Sequence, residues 1–221
     1  MNKEVFMKYA PYIYFDNNEP FFPVRIGCLR FDSPGWSPSF KRQIDFARDK
    51  VSFVLEYAIY WHYDIGHLYD LEHIWVYVGK DGSVVDCEAS FHGDYLKGLL
   101  RDGSNIEDNT HVRLYSQPGK HAFSPIKELF ELLPEFYKET SEDAGRDGLL
   151  VTSVARGRYE SSDRIDEMVK AYLQRYKFDP SLEYSKYIIS QDILTTWEKL
   201  DEEIPEMIRE KLKEISDMET S

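Results

Sequence analysis

The chain alternates apolar and polar positions in short stretches over its first part and shifts to helical spacing near its end. Residues 51–63, VSFVLEYAIYWHY, are dense in β-branched and aromatic side chains and predict a strand, with a buried helix as the competing reading. Further strands are expected at 9–15, 24–31, 71–78, 83–89, 110–116 and 148–155. Asp16-Asn17-Asn18 reads as a turn, SPGWSP (33–38) as a loop, and 40–50 as a helical turn or an extended link. Helices are expected at 125–139, 163–177 and 191–215. Ser124-Pro125 supplies a cap and a first-turn proline to the first of these. Pro205 should break or kink the last, whose Leu194, Trp197, Leu200 and Ile204 have helical spacing for packing on the body. The fold class is α+β and strand-dominated: an antiparallel β-sandwich core with helical insertions and a C-terminal helical tail. The core domain is placed at 1–160, with a helical insertion near 125–139, and the helical extension at 161–221.

Asp81-Gly82, between two strand-like runs, is a hairpin signal. Taken as a two-residue loop, it opposes Val78 to Val85, Val76 to Cys87, Ile74 to Ala89 and Glu72 to Phe91. One face is then apolar as far as Glu72, and the other is mixed (Tyr77 with Asp86, Trp75 with Glu88, His73 with Ser90). Alternation continues the apolar face into Asp70 and Glu72. Two carboxylates on a core face are costly unless they are paired or hold a cation. Asp64 and His67 lie just upstream, so GHLYDLEH (66–73) presents either a divalent-cation site or carboxylates that face solvent or pair with Arg25, Arg30 or Arg113.

Composition narrows the functional classes. The 221 residues, 15% aromatic and 42% hydrophobic, suffice for a large core without a metal or disulfide staple. A formal net charge of −13 argues against nucleic-acid partners, and no run reaches transmembrane length. No export signal is read at the N-terminus, so a cytoplasmic protein is expected, with Cys28 and Cys87 as reduced, buried thiols.

Gly66-His67-x-x-Asp70-x-Glu72 before an apolar strand resembles the Gly-His-Arg-His-Asp-Trp-Glu heptapeptide of the necrosis-inducing protein family. It also resembles the Gly-Asp-Trp-Glu-His motif of a group of vacuolar-sorting-associated proteins. YAPYIYFDNNEPFFP (9–23), YAIYWHYD (57–64) and GKHAFSP (119–125) resemble further segments of that group, in the same order. Leu68, Tyr69 and Leu71 depart from the heptapeptide. The resemblance implies a β-sandwich holding one divalent cation (Mg, Ca, Mn or Zn) through Asp64, His67, Asp70 and Glu72, with His73 and His121 matching further motif histidines. For His73 an equal alternative is a histidine set among the aromatics near Trp75, and His121 is also the candidate general base. His62, His92 and His111 are weaker candidates. Three functions follow: a metal-dependent hydrolase, a cation-assisted module for a small molecule, glycan or headgroup, and a purely structural metal site. Gly-x-Ser-x-Gly, His-Glu-x-x-His and a phosphate-binding glycine loop are all missing from the sequence.

Overall fold

Two thirteen-residue strands, paired along nearly their whole length, form the spine of the molecule. They are two elements of a computed structural model that describes residues 1–152 and 157–219. In chain order its elements are α1 (Lys3–Tyr9), β1 (Tyr12–Asp16), β2 (Arg25–Phe31), β3 (Gly35–Ser37), β4 (Arg42–Ile44), β5 (Val51–Tyr63), β6 (His67–Gly79), β7 (Val84–Phe91), β8 (Asp94–Lys97), β9 (Ile106–Glu107), β10 (His111–Ser116), β11 (Phe123–Ser124), α2 (Phe136–Glu139), β12 (Gly148–Leu149), α3 (Asp163–Leu173), β13 (Tyr184–Ile188), β14 (Leu194–Thr196) and α4 (Trp197–Glu219).

One sheet runs β14-β2-β5-β6-β7-β8, with β12 added beside β6; the other runs β11-β10-β1-β13, with β9 beside β10. Ile13, Phe15, Val112 and Leu114 of the smaller sheet share one buried cluster with Ile74, Val76, Cys87 and Ala89 of the larger. The sandwich is mixed rather than wholly antiparallel, because β1–β10, β2–β14 and β6–β12 are parallel pairs. Tyr57 to Trp61 are all fully buried, which explains why β5 reads as a continuous apolar run rather than an alternating one.

The β6–β7 hairpin holds the expected register at Ile74–Ala89, Val76–Cys87, Trp75–Glu88 and Tyr77–Asp86. It slips at its tip, where Val78 pairs with Val84 and Val85 turns outward. The cause is the loop. Gly79 N–H donates to the Ser83 carbonyl across three residues, with Gly82 at φ 82°, so a bulge replaces the two-residue turn.

The helical expectations fare unequally. Ser162 caps α3 by accepting from Ile165 N–H, and α3 continues as a 3₁₀ turn to Tyr176, close to the expected 163–177. The helix expected at 125–139 is instead a 3₁₀ segment (Lys127–Leu132) and the single turn α2. Pro134 divides them: Leu133 before it is extended (φ −77°, ψ 127°), as a residue preceding proline must be. Ser124 belongs to β11 rather than to a cap. The expected 191–215 helix begins only at Trp197, because residues 194–196 pair with β2. α4 then runs through Pro205 without breaking. Proline removes the donor that the Asp201 carbonyl would receive, and Arg158 donates to that carbonyl instead. Leu200, Ile204, Ile208 and Ile215 bury one face of α4 in the same core, together with Val169 and Leu173 of α3. The strand expected at 148–155 is two residues long, and its last three positions lie outside the described residues. α1, β13 and the short β8, β9 and β11 carry too little periodicity to stand out in the sequence.

β3 and β4 form a small hairpin on the outer face of the larger sheet. Glu56, fully buried, anchors it by accepting from Ser39 Oγ and from Trp75 Nε1, both at 2.6 Å. The Arg42 guanidinium lies over Trp75 (4.5 Å) and Tyr95 (3.6 Å). Cys28 and Cys87 are buried and unbridged. No described helix is long and apolar enough to cross a membrane.

Candidate metal centre

β5 and β6 are joined by a tight turn in which Asp64 N–H donates to the His67 carbonyl at 3.0 Å. Inside it, the Asp64 side chain accepts from Gly66 N–H at 2.5 Å. A Cβ on Gly66 would stand 3.1 Å from both Asp64 Oδ1 and Lys120 Nζ, so the glycine lets both side chains close over the turn. Two other segments clamp the same turn. Ile65 N–H donates to the Gly119 carbonyl, Gly145 N–H to the Ile65 carbonyl, and Asp147 N–H to the Gly66 carbonyl. Gly119 itself has φ 69°, and a Cβ there would meet Ile65 at 2.8 Å.

This clamp brings residues 119–121 onto β6. His121, fully buried and itself left-handed (φ 57°), places Nδ1 3.1 Å from Asp70 Oδ2 and Nε2 3.5 Å from Glu19 Oε1. Its ring lies flat on Trp61, with centroids 4.5 Å apart and planes 6° apart. Trp61 is also the cross-strand partner of Asp70, so the indole floors the site. Lys120 Nζ is 2.7 Å from Asp64 Oδ1. Glu19 is fixed by Gly119 N–H (2.6 Å) and Phe21 N–H (3.1 Å).

Asp64, Asp70 and His121 each offer one ligand atom, and these atoms all lie within 4.8 Å of one another. His67 stands beside them: its Nδ1 is 2.7 Å from the Tyr69 carbonyl, which only accepts, so Nδ1 is the donor there, and Nε2 lies 3.8 Å from Asp64 Oδ1. A ring nitrogen held this way by a backbone carbonyl is the usual orientation of a metal-ligating histidine. Tyr69 reaches that position by a left-handed conformation (φ 52°) near the start of β6. His121 Nε2 is buried without a hydrogen-bond partner. Two carboxylates, the His121 imidazole once it gives up a proton, and a second imidazole oriented beside them make a donor set of the kind a divalent cation takes. None of the arginines weighed as partners reaches these carboxylates: Arg25 pairs with Glu203, Arg30 with Asp32 and Arg113 with Glu107.

The electrostatics follow from burial and crowding. Burial alone would raise the Asp64 carboxyl, but the Lys120, His67 and His121 cations hold it well below the usual range. Burial would lower His121, and the flanking Asp70 and Glu19 carboxylates overcome it, raising the imidazole to about 10. Burial pushes the Glu72 carboxyl well up, and the Asp70 charge pushes it further.

Glu72 and His73 stand apart from the trio. Glu72 accepts a close hydrogen bond from Ser90 Oγ, which also receives His73 N–H at 2.6 Å. His73 points to the opposite face, stacked on Trp75 (5.6 Å, 12°) with Phe40 edge-on. Of the weaker candidates, His92 Nε2 meets Gln117 Oε1 and His111 Nδ1 meets the Ala10 carbonyl. His62 Nδ1 is buried without a partner. Glu19 and Lys120 escape sequence reasoning, although both sit inside the stretches 9–23 and 119–125 that carry the family resemblance.

Asp70 also opens onto a pocket of about 250 Å³, lined by His67, Tyr69, Leu71, His73 and Phe40 among others. His73 is buried there with neither ring nitrogen hydrogen-bonded.

No protein-family model matches the chain, and no curated protein matches it. Solved structures similar to it include those of NLPPya. The structure of NLPPya in complex with glucosamine is 17% identical over 55% of this chain, with a TM-score of 0.38. The match spans 64% of that chain, just under two thirds of its length. The complex with mannosamine is likewise 17% identical over 55% of this chain, with a TM-score of 0.35. The likeness is partial in both chains.

Burial, with the Arg42 charge added, pushes the His73 imidazole down to about 3. The unfolded chain takes up this proton below the ordinary value of about 6.5, and the folded chain does not until about 3. Stability from this group is therefore complete above about pH 6.5 and is lost as the pH falls towards 3. At pH 5 the loss is about 2 kcal/mol. Urea unfolding at pH 7 and pH 5 is expected to show a drop larger by about that amount in the parent than in His73→Phe. Equal drops in the two proteins would show that the native imidazole is not held neutral.

Proposed function

We propose that this protein binds one divalent cation through Asp64, Asp70 and His121, with His67 within reach, at the inner end of a pocket that admits a small ligand. The observation that carries the reading is Asp70, which belongs both to the converging trio and to the pocket wall. A cation that only neutralised buried carboxylates would not need a member facing a pocket. Carboxylate dominance suits Mg, Ca or Mn, and the imidazoles also admit Zn. When bound, the cation would supply Lewis acidity to a ligand oxygen or a water. The chain's own residues bind and orient: Trp61 supports His121, Phe40 and Leu71 give the pocket apolar walls, and His73 offers two ring nitrogens for a polar ligand such as a glycan or headgroup. Glu72 acts in this reading through Ser90, steadying the strand rather than touching the cation.

Elemental analysis of the purified, untagged protein tests the reading, with about one equivalent of a single divalent metal expected. Absence of metal, with a melting temperature unmoved by Mg, Ca, Mn or Zn, would sink it. Phosphoester or ester turnover abolished by EDTA would make the protein a hydrolase. EDTA-sensitive ligand binding without turnover would make it a binding module.

A further inference from the structure

The loop that delivers His121 also delivers a cation of the protein's own. Lys120 N–H and His121 N–H both donate to the Gln117 carbonyl, at 3.1 and 2.9 Å. Gly119 is tied to Ile65 through its carbonyl and to Glu19 through its N–H. The backbone of both residues is thereby fixed over the turn. Each meets one carboxylate of the trio: Lys120 meets Asp64 at 2.7 Å and His121 meets Asp70 at 3.1 Å. The Lys120 side chain is only 13% exposed, so water screens its charge weakly. Asp64 Oδ1 is already shared between Lys120 Nζ and Gly66 N–H.

We propose that Lys120 is a tethered counter-cation that sets the affinity of this site for divalent metal, because its ammonium and the metal compete for Asp64. The inference rests on the trio being a cation site. In the metal-free protein Lys120 neutralises a carboxylate whose burial would otherwise be costly. A divalent ion arriving beside the ammonium meets direct repulsion in a poorly screened setting, and full engagement of Asp64 requires Nζ to withdraw. The protein is thereby stable without metal and binds it more weakly than the donor set alone would allow.

The test is calorimetric titration of Mg, Ca, Mn and Zn into the chelator-stripped full-length chain. Lys120→Met is expected to bind metal at least roughly tenfold more tightly than the parent and Lys120→Arg to stay near it, since only the first removes the charge. In chelator, Lys120→Met should melt lower than the parent, and saturating metal should close that gap. Lys120→Gln, which keeps a donor for Asp64, serves if the methionine variant does not fold and should also bind more tightly. Equal or weaker binding by the neutral variants, with the parent still binding, would overturn the competition and leave the metal site standing. Absence of binding by the parent and by every variant would overturn the site itself and this inference with it.

Discussion

Asp70→Asn is expected to weaken divalent-cation binding by more than the roughly 10- to 100-fold that loss of an outer-shell partner costs, while Glu72→Gln changes it by less than about tenfold. The two carboxylates are two residues apart on one strand, yet their surroundings differ. Asp70 faces His121 Nδ1 and contributes one of the three converging ligand atoms. Asparagine keeps its volume and removes its charge. Glu72 is taken by Ser90 Oγ, and its carboxyl is held well above the usual range by burial and by Asp70 itself. An amide there replaces a group that is already reluctant to ionise. Calorimetric titration of both variants checks this. An equal loss in the two would make Glu72 a direct ligand, as the motif resemblance implies.

The largest stability effect is expected at Trp61. Trp61→Ala should cost about 3–5 kcal/mol in urea unfolding, the range for deleting a large buried aromatic side chain. The indole is fully buried in the central strand β5, so its loss opens a cavity that the sheets on either side cannot collapse to fill. It also removes the surface on which His121 stacks. His121 sits in a left-handed conformation that persists only where its surroundings fix it. Metal affinity should therefore fall together with stability. Trp61→Phe, which keeps a ring under His121, should retain more of both. A Trp61→Ala protein that melts like the parent would show that the floor is not structural.

Much of this was legible in the residues. β5 runs over 51–63 as its β-branched and aromatic density predicts, and the β6–β7 pairing follows the apolar alternation from Ile74–Ala89 to Tyr77–Asp86. Both signals arise because one buried face, or two, must be filled by side chains two residues apart. The site was legible in part. Asp64, Asp70 and His121 lie together, with His67 beside Asp64 and His121 arriving from 51 residues beyond Asp70. That distance was bridged by motif resemblance and not by periodicity.

What periodicity misses is local chemistry without a repeat. Pro134 divides a helix that the apolar spacing alone would continue, and the pairing of residues 194–196 with β2 overrides their helical spacing. Arg158 satisfies the carbonyl that Pro205 leaves unpaired, so α4 continues where the sequence predicts a break or kink. Burial imposes a period on the chain, and that period carries which strands are buried, where the β6–β7 hairpin turns and which carboxylates lie on a core face. That Lys120 and His121 meet those carboxylates, that Glu19 backs them and that Glu72 turns to Ser90 emerges only from the folded arrangement. Those choices depend on hydrogen bonds between segments far apart in sequence, and no spacing of residues along the chain encodes them.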